Sequence, residues 1–366
     1  MNAVLETLTK AGVSIWLDDL TRTRITTGNL KELIDTMSVR GVTTNPSIFE
    51  GAIAGSADAY AEQIAALAQG GVNAEQAVRL ITSDDVRSAC DIFAEVFTES
   101  GGTDGRVSIE VDPRLARDTS ATILEAQELR DLVDRENLLI KIPATLEGLP
   151  AITEVIGRGI SVNVTLIFSV DRYKQVMDAY MSGLELAILR GHEISKIESV
   201  ASFFVSRVDS TVDSLLAAQG GDSAIALLGQ AAITNARLAW QAYTQVLASD
   251  RWKALKDANP QRPLWASTGV KNPDYSDTRY VIDLVAPGCV NTMPEKTLFA
   301  LADHGVFVGD TVSGTSEASA LIWRELSGLG IDVTTVCNDL EAEGVAKFEQ
   351  AWISLLDTVA KALERA

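Results

Sequence analysis

Short apolar runs rich in β-branched residues alternate along this chain with longer stretches whose apolar positions recur every three or four residues. The first kind predicts strands: Val13–Asp18 (VSIWLD), Gly41–Thr44 (GVTT), Arg106–Val111 (RVSIEV), Leu138–Ile142 (LLIKI), Ile160–Thr165 (ISVNVT), Glu198–Val205 (ESVASFFV), Pro263–Thr268 (PLWAST) and Val281–Val285 (VIDLV). Several are apolar almost throughout, as parallel strands covered on both faces require. The second kind predicts helices. Tyr173, Val176, Tyr180, Leu184 and Ala187 share one face, and Val86, Ala89, Phe93, Val96 and Phe97 share another.

Strands alternating with helices in this way predict an α/β fold, a (β/α)8 TIM barrel. Two connections leave room for extra helices: Ala52–Asp104 for two, and Thr211–Gln261 for at least two more. These lie between the second and third and between the sixth and seventh strands. Glu341–Ala366 has the pattern of a closing amphipathic helix. No internal repeat, low-complexity linker or composition break divides residues 1–366, so one domain is expected. A doubly wound open sheet is the rival, but no GxGxxG follows the first strand.

Composition narrows the functions. Hydrophobic residues make up 46% of the 366 and charged ones 22%, enough for a large core in a soluble protein. Fifty acidic residues against 31 basic ones give a net charge of -19. Such a field repels nucleic acid and anionic membrane, so neither is expected as a partner. A phosphate ester would have to be held by a few local cations or by backbone N–H groups. The three cysteines, Cys90, Cys289 and Cys337, are far apart and form no CxxC, which suits a reducing cytosol. His192 and His304 alone give little material for a metal site or a Ser-His triad, and no metal or cofactor is expected. His304 lies near the end of a predicted helix, where a cation is favoured anyway. The N-terminus has neither a basic start nor an apolar signal core, and the apolar run Ala224–Ile233 is too short to span a bilayer. A cytoplasmic location is expected. Apolar helix faces fit a core and a subunit interface equally, so a homo-oligomer is left open.

In a barrel of this kind chemistry gathers where strands end and the following loops begin. Those ends carry Asp18; Thr43 and Asn45; Glu110 and Asp112; Lys141; Asn163 and Thr165; Ser202 and Arg207; then Ser267 and Thr268. Most have a plain structural alternative. Asp18 could cap a turn, Asn45 precedes a proline, Ser202 and Thr165 could bond locally, and Arg207 could form a surface ion pair. Lys141 differs, because it sits among Leu138, Leu139, Ile140, Ile142 and Pro143. Desolvation disfavours an ammonium and yields a neutral amine able to attack a carbonyl. The alternative is a lysine whose end reaches solvent. Taken with carboxylates on other strand ends, the imine-forming reading gains: Asp18 or Glu110 could move protons, and Asn45 and Asn163 could bind sugar hydroxyls.

These residues resemble the transaldolase family. Gly41–Phe49 (GVTTNPSIF) is similar to the family's first signature, and Leu138–Leu149 (LLIKIPATLEGL) to the segment carrying its imine-forming lysine. SIEVDPRL, NVTLIFS and SFFVSR follow in the family's order, so the resemblance runs from about Ser14 to at least Ser267. WLDDLTR and WASTGVK resemble its longer branch, found in actinobacteria and cyanobacteria.

The resemblance implies transfer of a dihydroxyacetone unit from sedoheptulose 7-phosphate to glyceraldehyde 3-phosphate, giving erythrose 4-phosphate and fructose 6-phosphate in the pentose phosphate pathway. Lys141 matches the Schiff-base lysine and Asp18 the aspartate that takes the C4 hydroxyl proton. Glu110, through a water held by Thr165, matches the glutamate that moves protons during imine formation and hydrolysis. Asn45 and Asn163 match the amides that hold the three-carbon enamine. Thr43 and Ser202 match further hydroxyls, and Arg207 a phosphate-binding arginine. The pattern departs after Ser267: many members place a second arginine two residues on, where this chain has Gly269, and Lys271 is the nearest cation. A related aldolase that releases free dihydroxyacetone tends to carry glutamine and tyrosine at the positions of Glu110 and Phe204, so the residues here favour the transferase. A barrel kept as a non-catalytic binding protein is the alternative of another class, and the set Lys141, Asp18 and Glu110 argues against it.

Overall fold

The structure, a computed structural model, describes residues 2–366. Its parallel strands are β1 (Ser14–Leu17), β2 (Val39–Val42), β3 (Arg106–Glu110), β4 (Leu138–Pro143), β5 (Val162–Ile167), β6 (Ser199–Phe204), β7 (Arg262–Ala266) and β8 (Val290–Met293). Each pairs with the next and β8 pairs with β1, which closes the (β/α)8 barrel. Apart from Arg40, every strand residue is buried, the outer faces beneath helices and the inner faces within the barrel. Close packing begins at β1. The Trp16 ring lies where a side chain on Gly41 would be, 2.6 Å from an ideal Cβ, so only glycine lets β2 approach there.

Seven of the expected strands form within two or three residues of their predicted limits, and the eighth does not. Val281, Leu284 and Val285 are buried at a spacing of three and four, and residues Arg279–Ile282 form a helical turn. The strand is instead Val290–Met293, whose Asn291 and Thr292 face other side chains and backbone rather than water. Its polar residues disguised it as loop.

The first long connection holds more helix than the two expected, and the second has the at least two extra helices expected of it. Between β2 and β3 lie Pro46–Gly55, Ala57–Gln69, Ala74–Ile92 and Ala94–Glu99. Between β6 and β7 lie Ser206–Gln219, Asp222–Ala226, Ala231–Ala248 and Asp250–Ala254. The C-terminal helix, Val333–Arg365, is 33 residues long and starts eight residues earlier than its amphipathic pattern suggested. Asp332 caps it by accepting from the Thr335 N–H, and Val333, Val336, Cys337 and Leu340 bury its first turns. It lies against helices Pro46–Gly55 and Ala74–Ile92 and reaches the end of β5. Among the described residues no helix is long and apolar enough to cross a membrane.

The two ends of the barrel interior are built differently. At the strand starts, Arg262 donates to the Ser14 hydroxyl (2.9 Å), the Thr103 carbonyl (2.7 Å) and Asp104 Oδ1 (3.1 Å), while Ser14 donates to Asp104 Oδ2 (2.8 Å). This plug is satisfied almost entirely within the protein. At the strand ends several polar groups point at one another across an open space.

Candidate active site

Register sets the centre of that space. Glu110 on β3, Lys141 on β4 and Asn163 on β5 are direct neighbours across the ladder and therefore project to the same side. Lys141 is only 4% exposed. Its Nζ donates to the Thr44 carbonyl (3.0 Å), stands 3.3 Å from Glu110 Oε2 and lies 5.4 Å from the centre of the Phe348 ring. Burial pushes the Glu110 carboxyl up to about 7, with the neighbouring Lys141 cation acting in the opposite sense. Apart from the ion pair with Lys141, both Glu110 oxygens and the Thr165 hydroxyl are buried without a hydrogen-bond partner in the protein. Unpartnered buried acceptors are costly, and their clustering beside an amine is a mark of function.

Asp18, at the end of β1, is raised above the ordinary carboxylate range by burial, against the pull of Lys141 and of a hydrogen bond from Thr43. Thr43 donates to Asp18 Oδ1 (2.7 Å) and its oxygen also lies 2.7 Å from the Thr292 hydroxyl. A hydroxyl has one proton, so with Thr43 donating to Asp18, Thr292 donates to Thr43. The chain Thr292–Thr43–Asp18 thus orients the carboxylate from two neighbouring strands.

A cavity of about 80 Å³ opens over Lys141 and is lined by Asp18, Thr43, Asn45, Thr165, Ser202, Phe204, Arg207, Ala266, Ser267, Thr292 and Phe348. Asn45 serves two ends at once. Its Oδ1 caps helix Pro46–Gly55 by accepting from the Ile48 N–H (3.0 Å), so its amide faces the cavity in a fixed orientation. Asn163 lies beneath the cavity floor, accepting from Ser202 (2.7 Å) and donating to Ser108 (3.0 Å). Arg207 opens helix Ser206–Gln219, and its guanidinium lies 5.3 Å from the Phe204 ring centre with one buried nitrogen unpartnered. Ser267 adopts a left-handed backbone (φ 56°) and its hydroxyl meets that of Ser206 at 3.0 Å.

Lys271 stands apart from this cavity, on the wall of a neighbouring cleft shared with Asp209, Asp213, Tyr275 and Tyr280. Burial lowers its pKa, and repulsion from Arg207 and Lys347 lowers it further, so these cations share one neighbourhood. A wider cleft, about 430 Å³, opens at the opposite end of the barrel beside Arg106 and Glu198. Arg106 is there tied to the Gly102 carbonyl (2.7 Å) and stacked on Phe97, a structural arrangement.

Besides Ala266, two lining residues escaped the sequence reading. Thr292 was hidden by the misplaced eighth strand. Phe348 lies on the C-terminal helix, far along the chain from any strand end, and has the appearance there of an ordinary core aromatic.

The sequence matches a protein-family model along most of its length. The model of the transaldolase/fructose-6-phosphate aldolase family matches residues 15–359. A transaldolase of Mycolicibacterium smegmatis is 58% identical over 100% of this chain and 99% of its own length. One from Mycobacterium ulcerans is 59% identical over 98% of this chain and 97% of its own. Transaldolase 1 of Streptomyces avermitilis is 61% identical over 98% of this chain and 95% of its own. With that match extending from β1 to the last turns of the C-terminal helix, the chain belongs to the transaldolase/fructose-6-phosphate aldolase family.

Proposed function

We propose that this protein is a transaldolase acting through a Schiff base on Lys141, moving a dihydroxyacetone unit from sedoheptulose 7-phosphate to glyceraldehyde 3-phosphate. The products are erythrose 4-phosphate and fructose 6-phosphate, a step of the non-oxidative pentose phosphate pathway. The observation that carries the reading is a buried lysine 3.3 Å from a carboxyl raised to about 7, at the strand ends of a closed barrel.

Lys141 must lose a proton before it can add to the ketose C2 carbonyl, and Glu110 is within reach to take it. The carbinolamine then expels its oxygen as water, with Glu110 returning the proton. The unpartnered oxygens of Glu110 and the Thr165 hydroxyl suit them to hold that water. The iminium is an electron sink. Asp18 takes the C4 hydroxyl proton, the C3–C4 bond breaks, and its electron pair becomes the enamine. Asn45 and Asn163, with Thr43 and Ser202, hold the three-carbon fragment until an aldehyde arrives, and reversal of the same steps forms the new bond. Arg207 meets the substrate phosphate with help from Ser267, and Lys271 supplies a second cation nearby. The opening of helix Ser206–Gln219 favours an anion further. Soluble sugar phosphates in the cytoplasm are the substrates this reading implies.

Borohydride reduction in the presence of fructose 6-phosphate tests it. The expected result is one covalent adduct, absent in Lys141→Ala; no adduct, or one that survives the substitution, would end the Schiff-base reading. With erythrose 4-phosphate as acceptor, transfer should be observed. Release of free dihydroxyacetone regardless of acceptor would mark an aldolase instead.

A further inference from the structure

Phe348 stands on the C-terminal helix, 5% exposed, and forms part of the wall over Lys141. Its place there is built rather than incidental. One turn earlier Gly344 rests on the end of β5, where an added Cβ would meet Leu166 Cδ2 at 3.0 Å and Phe168 Cε2 at 3.5 Å. Leu166 itself has a left-handed backbone (φ 60°), uncommon for a branched residue, at a register shift in the β5–β6 pairing. A strained strand end and a missing side chain together let the helix settle close enough for the Phe348 ring to face Nζ.

The chemistry gives that contact a purpose, on the reading that Lys141 forms the imine. As an ammonium, Nζ has three N–H donors, two of which the Thr44 carbonyl and Glu110 can engage. When the neutral amine has added to a ketone carbon and the carbinolamine oxygen leaves as water, the nitrogen becomes positive again but now has only one hydrogen. The contacts to Thr44 and Glu110 can no longer both be made. An aromatic face needs no N–H: it attracts the charge itself. We infer that Phe348 stabilises the positive charge that forms on the Lys141 nitrogen at the iminium, as a charge-stabilising residue supplied to the barrel by the C-terminal helix.

The test compares Phe348→Leu and Phe348→Met, which fill the space without a ring, with Phe348→Tyr, which keeps one. In the full-length protein with saturating fructose 6-phosphate, the leucine and methionine variants should lower kcat and the borohydride-trapped fraction by about 3- to 30-fold. The tyrosine variant should stay within about two-fold of the unsubstituted protein, and KM should move less than kcat in all three. Ring-free variants that trap as well as the unsubstituted protein would overturn the inference, and so would a tyrosine variant that falls with them, since that is the behaviour of a packing residue. No trapping in the unsubstituted protein would overturn the Schiff-base reading itself, and this inference with it.

Discussion

Burial raises the pKa of the Glu110 carboxyl, and the Lys141 cation beside it acts in the opposite sense. A carboxyl raised to about 7 is protonated below that pH and cannot accept a second proton. Above it the carboxylate is available as a base beside Lys141. The rate of adduct trapping should therefore rise with pH through about 7 and then level off, and Glu110→Gln should remove that inflection while slowing trapping by about 10²- to 10⁴-fold. A trapping profile with the same inflection in Glu110→Gln would sink its assignment as the proton carrier. Arg207 makes a different contribution, at the far end of the substrate. Its buried, unpartnered nitrogen points to binding rather than chemistry, so Arg207→Ala should raise KM for fructose 6-phosphate by about 10- to 100-fold. Equal KM values in the two proteins would count against that role. The Lys141 end of the site was legible because a charge inside an apolar strand is a local anomaly. The Arg207 end was less so: its cations come from separate loops and helices, and Lys347 joins Lys271 and Arg207 there only in the fold.

Among elements, legibility followed the contrast between buried and solvated positions. β4, β5 and β6 are six residues long with no more than two polar residues each and stand out from their surroundings, whereas β8 is four residues long and half polar. Its Asn291 donates to the Tyr280 carbonyl, and its Thr292 meets Thr43, so the polarity serves inward contacts that one-dimensional patterning cannot distinguish from exposure to water. The C-terminal helix was legible as a helix, but its approach to Lys141 was not, because Gly344 gives no sign in sequence of what lies beneath it. That glycine supplies a test at this scale. Gly344→Ala asks Leu166 for a few tenths of an ångström at the flexible end of its side chain, and it gains the helix propensity of alanine, about 1 kcal/mol. Near-neutral stability is expected. Gly344→Leu cannot be accommodated so cheaply and should cost about 1–3 kcal/mol by overpacking. It should also lower the trapped fraction, since lifting this turn withdraws Phe348. Chemical denaturation and borohydride trapping read the two effects separately, and a leucine variant with full trapping would show that the ring's position does not depend on this contact.

Across the whole molecule, stability and chemistry occupy opposite ends of one barrel. The strand ends leave the Glu110 oxygens and the Thr165 hydroxyl without hydrogen bonds around Lys141, while at the strand starts polar groups are tied to one another. Arg262 is the hub, through its two terminal guanidinium nitrogens. It joins β7 to β1 through Ser14 and to the loop before β3 through Thr103 and Asp104, and Asp104 also accepts from the Trp16 indole at 3.3 Å. Removing one partner of a buried ion pair costs more than the pair's net contribution, because the remaining charge is left without compensation. Arg262→Ala should therefore reduce the unfolding free energy by about 3–5 kcal/mol. In a barrel closed by hydrogen bonds all round, a loss at the strand starts need not displace residues at the strand ends. The variant should accordingly keep KM and the trapped fraction of the unsubstituted protein at a temperature where it remains folded. Paired measurement of denaturant unfolding and trapping at that temperature decides the matter. A drop in trapping that parallels the loss of stability would mean that the two ends are coupled, and that the Arg262 plug sets the geometry around Lys141 as well as the strength of the fold.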